Sequence, residues 1–208
     1  MSNFESKQIP LPEKEEGMHK DIDAQTITDT VEEARQLFKV VKSRLLDVNN
    51  WDKLCGAASA EFTLTDADGK KVEGKPEVGL FFKIDVPGPG SRTGGGFDWV
   101  KVEAIEENNE VNDDREFIII RVRPSDNPTT TDKDVAHFFS DKATSNFLIL
   151  REKNTVTAAV LGRNEVANTD QSTGLLDKLR NAVVGISAAL GISNPQWKSL
   201  VNGLLGKP

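Results

Sequence analysis

His137 lies in the run Asp134-Val135-Ala136-His137-Phe138-Phe139, an imidazole three residues past a carboxylate, which is spacing for general acid–base work or for one ligand of a metal. No serine or cysteine nucleophile motif accompanies it, and an imidazole beside two phenylalanines serves more simply as a packed, hydrogen-bonded group. Arg121 and Arg123 fall on one face of their strand by alternation, and a guanidinium fork suits carboxylate or phosphate. Beside Asp98 or Asp85 in a cavity they would orient a ligand; facing water they are solubility charges paired with acidic neighbours. The segment from Pro87 to Gly96 has the glycines of an anion-cradling loop, with Arg92 among them. A P-loop runs through Gly-Lys-Ser/Thr into a helix, whereas Phe97-Asp98-Trp99-Val100 resumes a strand, so the segment reads as a long hairpin connection at the rim of the fold. Cys55 has no basic neighbour nearer than Lys53 and reads as a small buried hydrophobe. The acidic run from Glu103 to Glu116 lacks the alternating carboxylates of a calcium loop and reads as a solvated hairpin tip.

Composition limits what these groups can serve. Lys and Arg number 26 against 33 Asp and Glu, a formal charge of -7 that repels phosphate backbones and anionic lipid, so nucleic acid is not an expected partner. One cysteine cannot form an internal disulfide, and with only His19 and His137 beside it no zinc cage is expected, nor any other cofactor. No apolar run of signal-peptide length opens the chain, Glu13, Glu15 and Glu16 standing where such a run would be. No window is apolar enough to insert stably in a membrane, and a reducing, cytoplasmic setting is expected.

The elements follow from hydrophobic period. Residues 1–23, rich in charge and with Pro10 and Pro12, read as a flexible arm in which Ile9 and Leu11 could dock as a short extended piece. Val31, Ala34, Leu37, Phe38, Val41, Leu45 and Val48 recur at helical steps, and Thr30 with Glu33 forms a capping box that places the helix start near residue 29. Trp51 and Leu54 suggest a short second turn whose indole folds back onto that helix. From residue 57 to 163 the period becomes two. Strands are expected around 58–65, 78–86, 97–106, 116–123, 145–152 and 155–162, with tight turns at Asp66–Gly69 and at Lys153-Asn154. Short turns make these strands antiparallel. Leu175, Leu176, Leu179, Val183, Ile186 and Leu190 predict a long helix over 173–190, and Asn194-Pro195 opens a final short one bearing Trp197, Leu200, Val201, Leu204 and Leu205. The expected fold is a single α+β domain over 24–208, an antiparallel sheet of about six strands packed against an N-terminal helix and a long C-terminal helix.

That order of elements resembles the START-like or helix-grip family, through the run from Val31 by Trp51 to Leu54, the strands between 58 and 162 and the helix from Gly174 to Leu190. The resemblance implies an apolar cavity between sheet and terminal helix that accommodates a lipid-like or polycyclic small molecule. It transfers no catalytic residue. Three classes of function remain open. A non-catalytic small-molecule or lipid binder would line its cavity with aromatic groups such as Phe81, Phe97 and Trp99, with Arg121, Arg123 and His137 as polar contacts. An interaction or self-assembling protein would instead show a filled core and an apolar patch, around Trp197 and Leu204 for example. An enzyme would bring His137 close to Asp98, Asp134 or an arginine. Oligomeric state is not legible at this level.

Overall fold

The structure, a computed structural model, describes residue 4 and residues 9–13, 15, 17–55, 60–85, 95–108, 114–130, 142–165 and 194–207. Seven strands, one more than the sequence pattern suggests, form one antiparallel sheet: β1 (Met18–Ile27), β2 (Glu61–Thr65), β3 (Phe81–Asp85), β4 (Asp98–Asn108), β5 (Arg115–Pro124), β6 (Thr144–Glu152) and β7 (Thr155–Glu165). Their spatial order is β1-β7-β6-β5-β4-β3-β2. Helix α1 (Val31–Leu46), a 3-10 turn (Val48–Asn50) and α2 (Trp51–Cys55) separate β1 from β2, and α3 (Asn194–Leu204) follows the sheet. Among the described residues the order is therefore strand, two helices, six further strands and a helix, an α+β arrangement. The helix expected over 173–190 lies outside the described residues.

The added strand is β1, whose residues 18–23 the sequence pattern assigns to the arm. Only Ile22 and Ala24 mark its inner side, among Asp21, Asp23 and Gln25, a period too thin to detect, and the pairing of residues 20–27 with β7 supplies what local propensity lacks. The capping box forms as expected, Glu33 N–H donating to Thr30 Oγ1 at 3.2 Å and Thr30 N–H to Glu33 Oε2 at 3.3 Å. The Asp66–Gly69 turn also forms, with Gly69 at φ 73°, yet it closes on a single bridge between Thr65 and Lys71, and the strand paired with β2 is β3. Lys153, at φ 53°, turns the β6–β7 hairpin.

One face of the sheet carries Phe62, Phe82, Val100, Ile118, Ile120, Phe147, Ile149 and Ala158 against α1, α2 and α3. At its centre Trp51, fully buried, stands with its ring centroid 5.1 Å from that of Phe62, 5.7 Å from Phe82 and 4.9 Å from Phe147. Its indole N–H donates to the carbonyls of Arg44 at 3.1 Å and Leu45 at 3.2 Å, the expected fold-back onto α1. Trp197 of α3 closes the cluster, 6.2 Å from Phe62 and 5.7 Å from Phe147. The other face is apolar as well: Ile119, Leu148, Leu150, Ala159 and Leu161 are buried there beneath Phe4, Ile9 and Leu11 of the N-terminal segment.

Candidate functional site

Neighbouring residues of a strand point to opposite faces, so the pairing register decides where each candidate goes. Phe82 and Val100 are paired and face the helices; Phe81 and Trp99 therefore face away from them. The same alternation, with Ile120 and Val122 inward, sends Arg121 and Arg123 to the outer face. Phe97, just before β4, receives the Lys83 ammonium 3.6 Å from its ring centroid, and Lys101 lies 5.7 Å from that of Phe81. Arg123 is held by both oxygens of Glu103, at 2.9 and 3.1 Å. Arg121 donates to Asn146 Oδ1 at 3.2 Å and to the Pro10 carbonyl at 2.5 Å. Phe81, Trp99, Arg121 and Arg123 thus share the face opposite α1, α2 and α3 and do not line the space between those helices and the sheet. His137 and most of the glycine-rich segment lie outside the described residues.

The inner side presents a different site. An open groove of about 480 Å³ runs between α1 and the β2–β3 connection, within the size range of small-molecule pockets. Lys39, Lys42, Ser43 and Leu46 line one wall at successive helical steps of three and four, the flank of α1 beside its buried stripe of Phe38, Val41 and Leu45. Glu73, Gly74 and Lys75 form the opposite wall. Asn49 fixes the two walls together: its Oδ1 accepts from Leu64 N–H at 2.8 Å and its amide donates to the Val72 carbonyl at 2.9 Å.

Both acids of the groove are already engaged. Glu73 pairs with Lys71 at 2.9 Å, and Asp47 accepts from the Asn50 amide at 2.9 and 3.0 Å. Lys42 is spent on Glu107 at 2.5 Å. Lys39 and Lys75 are exposed and form no ion pair among the described residues, so their charge is what the groove offers an incoming anion. The four alkyl carbons of each lysine, together with Leu46, give that charge an apolar floor. The sequence carries a signal for this wall, Lys39, Lys42, Ser43 and Leu46 at helical spacing, but the lysines read there as an ordinary solvated face because the opposing connection is not visible in a helical period. Among the described residues no group of three or more His, Cys, Asp or Glu is placed to hold a metal ion, and no helix is long and apolar enough to cross a membrane.

No family model matches the chain, and no curated protein matches it in sequence. Among solved structures it is similar to protein Ms6760 from Mycobacterium smegmatis, at 13% identity over 90% of this chain and 88% of that one, with a TM-score of 0.40. It is also similar to Ara h 8.0201, at 13% identity over 91% of this chain and 100% of that one, TM-score 0.34. A third is norcoclaurine synthase from Thalictrum flavum, solved with dopamine and hydroxybenzaldehyde, at 8% identity over 74% of this chain and 78% of that one, TM-score 0.35. Identity this low assigns none of their residues to a position in this chain.

Proposed function

We propose that this protein is a ligand-binding domain whose ligand is a small amphipathic molecule, an apolar body with an anionic head. The observation that carries the reading is the groove of about 480 Å³ beside α1, with Lys39 and Lys75 uncommitted at its rim and Leu46 at its floor. A fatty-acid-like chain lies along Leu46 and the lysine stems, and its carboxylate sits between the two ammonium groups. The space between α1, α2, α3 and the centre of the sheet is filled by Trp51, Phe82, Phe147 and Trp197, so the ligand of this reading occupies the flank of α1. Each exposed ion pair contributes about 0.2–1 kcal/mol.

Titration calorimetry with dodecanoate and with dodecanol tests this. Saturable binding of the acid is expected, with the alcohol weaker by about tenfold, the factor that two modest ion pairs supply. The double variant Lys39→Glu/Lys75→Glu, both positions being exposed, should abolish that preference while leaving the circular dichroism spectrum unchanged. Equal affinity of acid and alcohol for the unaltered chain, or a preference that survives the double charge reversal, would defeat the reading.

A further inference from the structure

The outer face of the sheet holds a second built site, independent of the groove. Ile119 of β5, Leu148 and Leu150 of β6 and Leu161 of β7 form an apolar floor, and Phe4, Ile9 and Leu11 pack on it. The polar contacts that hold the segment are directed at its backbone. Arg121 Nη2 donates to the Pro10 carbonyl at 2.5 Å, and the Asn164 side chain makes two bonds, its amide donating to the Glu13 carbonyl at 3.1 Å and its Oδ1 accepting from Glu15 N–H at 3.0 Å. One side chain thus meets a carbonyl and an N–H two residues apart and fixes the segment by its backbone. Leu11 N–H bonds to the Ile9 carbonyl at 2.7 Å, so Pro10 sits at the apex of a three-residue turn that directs Ile9 and Leu11 onto the floor.

The receptor side is shaped for the purpose. Between the pairs Met18–Glu165 and Lys20–Gly162 the β1–β7 register shifts, leaving Arg163 and Asn164 opposite the single residue His19, a β-bulge. Asn164 there has φ 55°, in the left-handed region that side-chain-bearing residues adopt sparingly, and it is buried. The bulge turns its amide to meet the segment's backbone. Arg163, its neighbour, is locked by Asp21 at 2.6 Å, which holds the bulge in place.

We infer that this face is a receiving site for a peptide segment, occupied in cis by Phe4, residues 9–13 and Glu15, and that in trans it takes the same segment from a second copy of this chain. The partner is defined by the contacts: two apolar residues flanking a proline, followed by acidic residues, of which Glu15 already pairs with Lys142 at 2.7 Å. An exchanged arm meets the same apolar floor and the same Arg121 and Asn164 groups, so its balance is set by the effective concentration of the tethered arm against that of free chains.

The test keeps the full chain and makes the cis arm polar with Phe4→Ser/Ile9→Ser/Leu11→Ser, then adds a synthetic peptide of residues 1–17. Saturable one-to-one binding is expected by fluorescence anisotropy, weakened about tenfold by Asn164→Gly in the receptor, which keeps the left-handed backbone and removes the amide. A peptide with Ile9 and Leu11 replaced by serine should bind at least as poorly. A folded receptor that does not bind, or one that binds equally well after Asn164→Gly, overturns the proposal. Should the serine variant fail to fold, sedimentation of the unaltered chain at millimolar concentration decides: a dimer reduced by Asn164→Gly supports arm exchange, and a monomer throughout overturns it.

Discussion

Burial pushes the Cys55 thiol up to about 11, with the Asp52 carboxylate adding to the effect. At pH 8 the thiolate is then only about 0.1% of the population. Alkylation by iodoacetamide at that pH should be slower than that of an unfolded control by roughly two orders of magnitude, read by mass spectrometry. The sign for stability follows: the folded chain holds the proton more tightly, so stability is full below the ordinary thiol value of 9.0 and declines as pH rises towards 11. Cys55→Ala should remove that decline. The type of the residue was enough to suggest an inert thiol. The arginines were not so legible, since Arg121, Arg123 and Arg163 look alike in sequence and differ in partner: a backbone carbonyl, a surface glutamate, and an edge-strand aspartate with the guanidinium almost wholly buried.

Helices α2 and α3 meet backbone to backbone. A Cβ at Gly203 would stand 2.1 Å from the Leu54 carbonyl oxygen, a distance at which one helix must move. The same contact carries a hydrogen bond from Ser199 Oγ to the Cys55 carbonyl at 2.6 Å, and Arg44 Nη1 ties α1 to the Leu204 carbonyl at 2.8 Å. Gly203→Ala should cost about 1–3 kcal/mol in urea denaturation, the usual penalty of overpacking. A change below about 0.5 kcal/mol, ordinary for a surface site, would mean that α3 does not seat on α2. Lys198 and Lys207 at the end of the chain donate to the carbonyls of Asp23 and Gln25 in β1. Those lysines occupy hydrogen-bonding groups of an edge strand that would otherwise invite another chain. Neither contact can be seen in a helical period, because each depends on how two elements far apart in sequence approach.

Among the described residues α1, α2 and α3 cover one face of the sheet, and the N-terminal segment covers the β5 to β7 part of the other. The most enclosed strand is β6, buried throughout from Thr144 to Arg151 and paired on both edges. Amide exchange should therefore be slowest at Phe147 to Leu150, proceeding there only through global unfolding, and fastest among the strands in β2, which ends the sheet. Rapid exchange in β6 would contradict that arrangement.

The strand positions, the capped helix and the tight turns could be read from the chain because period, capping and turn chemistry act over a few residues: β2 and β3 fall within the spans that alternation marks out, and β4 to β7 run past theirs by one to three residues. Local pattern also settled the α+β class. Only the tertiary structure decided which face each alternating residue takes. Phe81, Trp99, Arg121 and Arg123 alternate as well as any lining of a cavity would, and the pairing of β3, β4 and β5 turns them away from the helices. The groove and the arm site were equally hidden, since the arm site joins Glu13 to Asn164, 151 residues on, and the groove sets α1 against the β2–β3 connection, and no short-range rule encodes such an approach.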